Sequence, residues 1–409
     1  MNISARAQRI EPFYVMEMAK AATQLAKRCA DSDSPMIFLN IGEPDFTAPP
    51  LVQEAAHRAI LDGKTQYTAA TGLPELRERI SDWYASRFGL NIAAERIVVT
   101  AGASAALQLA CLTLIETGDD ILMPDPCYPC NRQFASAADG KAVLIPASAK
   151  DRFQLNAELV KAAWTPNTRG VLLASPSNPT GTSIEPGELR RIHEVVSEHD
   201  GITMLDEIYL GLSFDERFSQ SALAIDENII SINSFSKYFS MTGWRLGWLV
   251  VPPSLVTVVE RLAQNLFICP STVAQYAALA CFEPESLAEF ELRRRAFKER
   301  RDFFIPALND LGLTVPVMPD GAFYAWADCS QACQTLAGRL TDNISHHSRA
   351  SSPVMDSWGF AAALMEHAHL AVTPGRDFGP AHAGNFIRFS TASGMPQLRE
   401  AVARLKRLL

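Results

Sequence analysis

Two hydrophobic periods alternate along this chain, and together they mark out its elements. Short, nearly continuous apolar segments read as strands: Ile37–Ile41, Ile97–Thr100, Asp120–Met123, Gly170–Ala174, Ile202–Leu205, Leu249–Val251 and Ala322–Trp326. The segment 170–174 is almost wholly apolar, as expected of a strand covered on both faces. Between these lie segments of helical period. One follows Ile10, with Pro12 near its first turn, and another follows Pro74, with Glu75 near the positive end of its dipole. A third begins at Ala101-Gly-Ala-Ser, a fourth spans about Glu188–Glu198, and a long stretch runs from about Ser254 to Leu311. The basic run Arg293–Arg301 alternates with Leu292, Phe297 and Phe303 at helical spacing, which predicts a solvated charged face over an apolar stripe. Residues 331–352 are polar and biased in composition, and predict a surface loop.

With 409 residues the chain exceeds one simple core and has room for two or three domains. Hydrophobic residues make up 48% and charged residues 20%, the balance of an ordinary globular protein. A net charge of −8 and the lack of a basic tail argue against nucleic acid as the main partner. No apolar run approaches the roughly 18–20 residues that span a bilayer. The first ten residues show no apolar core followed by a cleavage site, so no signal peptide is predicted. Eight cysteines in so long a chain do not form a disulfide framework. Cys127 and Cys130 have the C-x-x-C spacing but no second ligand pair, and Cys329 and Cys333 make a poor zinc knuckle. His346 and His347 read as an incidental exposed pair. The expectation is a reduced, cytoplasmic protein without a metal.

The chemistry concentrates in residues 231–248, where Lys237 follows Ser234 and Ser236 and precedes Arg245. Hydroxyls, an arginine and glycines that admit close backbone approach suit a bound phosphate. A lysine held beside that phosphate suits an imine-forming amine, because desolvation and nearby cations make an amine nucleophilic. A phosphate pocket with such a lysine describes a site for pyridoxal phosphate. Gly102, Ala103 and Ser104, at a strand-to-helix turn, offer a second set of backbone N–H groups to an anion. Asp206 emerges from an apolar strand end, where a lone carboxylate must be paired. Asn178 lies between Pro176 and Pro179, whose fixed φ restricts its direction. Arg388 sits in a strand of alternating apolar residues and needs an anion, which a carboxylate supplies to its planar fork.

The lysine run, Ser175-Pro-Ser-Asn-Pro-Thr-Gly and Leu205-Asp-Glu-Ile-Tyr209 together resemble class I/II aminotransferases, the fold type I enzymes that use pyridoxal phosphate. The resemblance covers about Ile10 to Leu409, with 331–352 as an insertion. It implies a large cofactor domain, residues 48–290, around a mostly parallel seven-stranded sheet. A small α/β domain would combine 1–47 with 291–409. Further roles follow from the same resemblance. Lys237 would carry the cofactor as an internal aldimine and then move the α-proton; Asp206 would pair with the ring nitrogen. Tyr209 and Asn178 would reach the ring oxygen, and Tyr128 would stack on the ring. Ser234, Ser236, Arg245 and the 102–104 turn would hold the phosphate. Tyr67 would reach the phosphate of a partner subunit, which implies a homodimer with shared active sites. Gly42, Asn178 and Arg388 would receive the substrate's α-carboxylate.

The implied reaction moves an amino group from an L-amino acid to a 2-oxo acid. A carbon–sulfur lyase or related synthase on the same fold is the alternative, since one core serves several bond cleavages. An effector-binding module of a regulator is a third reading, and it would ordinarily carry a DNA-binding domain. No second arginine stands in a recognisable motif for a side-chain carboxylate, while Phe13, Tyr14 and Phe46 fall in segments expected near the pocket. That tilts the expected substrate toward neutral, hydrophobic or aromatic amino acids.

Overall fold

Seven of the chain's strands pair side by side into one sheet, and six of them are buried along most of their length. The structure, a computed structural model, describes residues 2–12, 14–29, 34–343 and 355–409. Its strands are β1 (Ile37–Phe38), β2 (Ile97–Thr100), β3 (Asp120–Asp125), β4 (Lys141–Pro146), β5 (Thr168–Ala174), β6 (Ile202–Asp206), β7 (Ile230–Ser234), β8 (Gly247–Val250), β9 (Tyr324–Asp328), β10 (Leu370–Ala371), β11 (Thr373–Pro374) and β12 (Phe386–Ser390). The seven-stranded sheet runs β2-β8-β7-β6-β5-β3-β4. All its pairings are parallel except those of β8, which lies antiparallel between β2 and β7.

That single reversal places the site. The parallel strands end at one edge, and an antiparallel β8 begins at that same edge: Gly247 pairs with Thr100 at the end of β2 and with Ser234 at the end of β7. The turns after β2, β3, β5, β6 and β7 and the turn before β8 therefore gather along one line. Ligands of open α/β sheets collect at such an edge.

A second sheet, β11-β12-β9, is antiparallel, and β1 pairs with β10. It has its own core, in which Phe304, Ile305 and Leu308 pack with Leu364, Ile387, Phe389 and Leu398. Helix Pro284–Asn309 serves both cores, since its Phe290 and Phe297 pack with Phe239, Trp248 and Phe323. Among the described residues no helix is long and apolar enough to cross a membrane.

Several expectations need correction. The segment predicted as loop from 331 is helical from Ser330 to Asn343, because Ala332, Cys333 and Leu336 are buried in the second core. Its remainder, including His346 and His347, lies outside the described residues. The basic run is not simply a solvated face. Arg293 and Arg300 are buried; Arg293 donates to the Thr47 carbonyl at 2.6 Å, and Arg300 pairs with Asp45 at 2.7 Å. Both guanidinium groups lie 5.0 Å from the Phe46 ring centroid. Planar cations stacked on aromatic faces can be buried where lysines would not be. Finally, the strand predicted over 37–41 stops at Phe38.

Candidate active site

At the shared sheet edge lies a cavity of about 310 Å³. Its walls bring together Lys237, Asp206, Tyr209, Asn178, Tyr128, Ser234, Ser236, Arg245, Ala103, Ser104, Gly42 and Arg388, twelve of the fourteen positions singled out in the sequence. The other two do not line it. Gly102 stands just behind Arg245 as the cap of helix Ala103–Leu114, and Tyr67 is 84% exposed elsewhere.

Each position follows from the strand that delivers it. Asp206 is the last residue of β6, so its carboxyl turns into the cavity while Glu207 turns to the opposite face. There Glu207 is fully satisfied, accepting from Ser221 Oγ at 2.8 Å, Ser231 Oγ at 2.5 Å and the Ala222 N–H at 2.7 Å. Asp206 accepts one backbone hydrogen bond, from Ile208 at 3.1 Å, and no cation pairs with it among the described residues. Burial therefore raises its pKa from 3.8 to about 7, with the Glu207 charge adding to the shift.

Lys237 follows β7, and its Nζ donates to the Gly42 carbonyl at 2.6 Å. Burial lowers its pKa to about 8; Arg388 and Arg245 push the same way, while Glu43 and Asp206 oppose them. Such an amine is neutral in a sizeable fraction near neutral pH and is a usable nucleophile and base.

Arg245 adopts a left-handed backbone, φ 53°, at the end of the turn 242–244, and its Nη1 donates to the Thr242 carbonyl at 3.1 Å. A Cβ on Gly102, whose φ is 81°, would come within 2.6 Å of Arg245 Nη2. The left-handed backbone favours glycine there, and a Cβ would also push the guanidinium aside. The cavity thus sets a guanidinium, two serines and the N-terminus of a twelve-residue helix around one corner.

Arg388 enters from the second sheet and is 4% exposed. It donates to Asn178 Oδ1 at 2.8 Å, the Asn40 carbonyl at 2.7 Å and Thr373 Oγ1 at 3.3 Å. Its Nε has no partner among the described residues. The other lining residues include Val15, Met16, Ala19, Ile41, Leu107, Ile208 and Tyr324.

The segment that holds Tyr14 does reach the cavity, but neither Tyr14 nor Phe46 lines it. Tyr14 lies on the Arg376 guanidinium, 3.9 Å from ring centroid to carbon, and meets Trp358 edge-on. Phe46 belongs to the Arg293–Arg300 cluster, and Phe13 lies outside the described residues. The wall comes instead from Val15, Met16 and Ala19 on helix Tyr14–Arg28. Tyr324 was also missed. Its signal was the apolar run Ala322–Trp326, which identifies a strand without saying which face meets a cavity.

One test of Asp206 needs no ligand. An acid whose pKa is higher folded than unfolded binds more protons when folded, so stability falls as pH rises through that window. The cofactor-free Asp206→Asn variant should therefore gain on the native protein between about pH 4 and about 7. The gain is at most about 4 kcal/mol, one pKa unit being worth about 1.4 kcal/mol. Melting temperatures at pH 4.5 and 7.5 check it, and a variant that tracks the native protein at both would contradict it.

Comparison with known proteins agrees with this architecture. The sequence model for aminotransferase classes I and II matches residues 34–405. The chain is 35% identical over 397 residues to a valine–pyruvate aminotransferase of Mycobacterium tuberculosis, covering 97% of this chain and 96% of that one. To an aspartate aminotransferase of Rhizobium meliloti it is 33% identical, covering 98% and 95%. A crystal structure of an aminotransferase from Mycobacterium tuberculosis superposes with a TM-score of 0.89 at 35% identity, covering 100% of this chain and 99% of that one. A Thermus thermophilus aspartate aminotransferase mutant gives 0.87 at 30% identity, with full coverage of both chains. With its seven-stranded sheet and this degree of likeness, the chain belongs to the class I and II aminotransferases, the fold type I family that uses pyridoxal phosphate, and is an aminotransferase.

Proposed function

We propose that this aminotransferase moves an amino group between a neutral, hydrophobic or aromatic L-amino acid and a 2-oxo acid, with pyridoxal phosphate held in the 310 Å³ cavity. The cavity's inventory of cations carries the reading. Among its described lining residues these are Lys237, Arg245 and Arg388: one amine for the cofactor, one guanidinium for a phosphate and one for an α-carboxylate. None remains for a second carboxylate, and Val15, Met16, Ala19 and Ile41 supply an apolar wall. Relatives named for valine and for aspartate stand at similar identity, so the choice rests on that wall.

The residues fit the cofactor. Asp206 is a buried carboxyl without a cation, and a protonated ring nitrogen supplies one. Asn178 gives Oδ1 to Arg388, which leaves its amide N–H groups for ring oxygen and substrate. Tyr209 would donate to the same ring oxygen, and Tyr128 would pack on the ring face. Ala103, Ser104, Ser234, Ser236 and Arg245 would surround the phosphate, with Gly102 behind Arg245, its own N–H given to the Thr100 carbonyl at 2.8 Å. When bound, pyridoxal phosphate supplies a ring that stabilises negative charge at the substrate α-carbon and a carbon that carries the amino group between substrates. Lys237 Nζ takes the α-proton and returns it. Arg388 holds the α-carboxylate beside it, with Gly42 and Asn178 completing that end, so the reacting carbon faces Nζ.

The wider organisation belongs to the same proposal. Residues 48–290 would form the cofactor domain, and 1–47 with 291–409 the second, a division supported by a core drawn wholly from the latter residues. Tyr67 is exposed and lines no part of its own cavity, which supports its reaching into the site of a second copy. No disulfide joins the cysteines among the described residues, which supports a reducing, cytoplasmic setting.

The test is the absorbance of the purified, cofactor-loaded protein as single amino acids are added without an oxo acid. Valine, leucine or phenylalanine should bleach the cofactor band and leave one oxo acid per site. Aspartate should react with a kcat/KM lower by about a hundredfold, since its carboxylate would be buried unpaired. A preference for aspartate would overturn the substrate class. Repeated release of ammonia or thiol without an oxo-acid acceptor would make the protein a lyase.

A further inference from the structure

Tyr324 is buried at the meeting point of the two sheets and touches three parts of the site at once. Its hydroxyl lies 2.7 Å from that of Tyr209, and the two rings meet edge-on at 5.6 Å. Its ring face carries the Arg388 guanidinium, 4.5 Å from the centroid. The third contact is Gly42, where a Cβ would stand 2.5 Å from the Tyr324 hydroxyl. That same Gly42 offers its carbonyl to Lys237 Nζ. The register explains the placement: Tyr324 opens β9 opposite Ser390 of β12, two residues beyond Arg388. Tyr209 and Lys237 follow strands of the large sheet, and Tyr324 and Arg388 lie in strands of the small one.

We propose that Tyr324 is a positioning residue, which aims the Tyr209 hydroxyl into the cavity and fixes the plane of the Arg388 guanidinium. The inference rests on the functional reading above, in which Tyr209 serves the cofactor's ring oxygen and Arg388 the substrate carboxylate. Two hydroxyls 2.7 Å apart share one hydrogen bond, so one donates and the other keeps its proton free. A cation on the face of Tyr324 makes its O–H the more acidic donor. Burial raises the Tyr324 pKa, and Arg388 is the main influence pulling it down. Tyr324 then donates, Tyr209 accepts, and the proton of Tyr209 points into the cavity. Accepting a hydrogen bond also makes Tyr209 a stronger donor.

The consequence is measurable as a pH midpoint. Donation from Tyr209 drains charge from the cofactor's ring oxygen, and that charge helps keep a proton on the Lys237 nitrogen. A weaker Tyr209 leaves more charge, so the proton is held to higher pH. The Tyr324→Phe holoenzyme keeps the ring under Arg388 and loses only the hydroxyl. Its visible absorbance transition should move up by about half a pH unit to one unit, the scale of one neutral hydrogen bond. Its KM for amino acid should stay within about twofold of the native value. Tyr324→Leu also removes the ring, and should raise KM about tenfold as Arg388 loses its support.

A double substitution separates positioning from general loosening. If Tyr324 acts through Tyr209, then Tyr324→Phe in a Tyr209→Phe background adds no further shift to the midpoint. An unmoved midpoint in Tyr324→Phe, or shifts that add in the double variant, would overturn the proposal. A native protein that shows no visible cofactor band would instead remove the reading on which it rests.

Discussion

Replacing Lys237 with alanine is expected to lower turnover by at least about four orders of magnitude while the protein stays folded. Two roles end with one amine: the nucleophile that holds the cofactor, and the base that moves the α-proton. General acid–base catalysis alone contributes about 10²- to 10⁴-fold, and loss of the covalent path adds to that. Stability should change little. The Lys237 amine has one hydrogen bond among the described residues, to Gly42, and removing that buried amine also removes a desolvation cost. The phosphate corner and Asp206 remain, so cofactor should still bind, without its covalent link to the protein. Mass spectrometry after borohydride treatment reads that link directly. Normal turnover by the variant would remove Lys237 from the chemistry.

Arg388 should show the opposite balance between activity and stability. Its guanidinium is almost fully buried, has no ion pair among the described residues and leaves Nε without a partner. A buried charge held only by neutral acceptors costs the folded protein free energy, recovered when a carboxylate arrives. Arg388→Met should therefore match or exceed the native melting temperature without substrate, while kcat/KM falls by about three orders of magnitude. Arg388→Lys keeps the charge and loses the planar fork, and should fall about a hundredfold. A substrate-like carboxylate should raise the melting temperature of the native protein and leave that of Arg388→Met unmoved. Equal protection of both would place the carboxylate elsewhere.

How much of this was legible in the sequence depended on how each residue is positioned. Asn178, Asp206 and Lys237 stand at or just past the ends of apolar strands, and neighbouring parallel strands bring their ends together automatically. Arg245 was legible by composition, but its place follows from the antiparallel entry of β8, a pairing that local pattern does not carry. Tyr324 and Phe46 show the limit. Tyr324 stands in an apolar run and Phe46 in a polar turn, and only long-range packing sends one to the cavity and the other to Arg293 and Arg300. The helix over 330–343 was hidden for a similar reason. Among its described side chains the buried ones are an alanine, a cysteine and a leucine, too faint a stripe to outweigh the composition.

The contact between Lys237 and the Gly42 carbonyl binds the stretch after β1 to the state of the amine. Once Nζ is committed to a cofactor it no longer donates there in the same way, and that carbonyl must find another donor or move. Cofactor loading and the conformation of residues 39–45 therefore share one free energy. By thermodynamic reciprocity, a substitution that stiffens that stretch in its cofactor-free form weakens cofactor binding by the same factor.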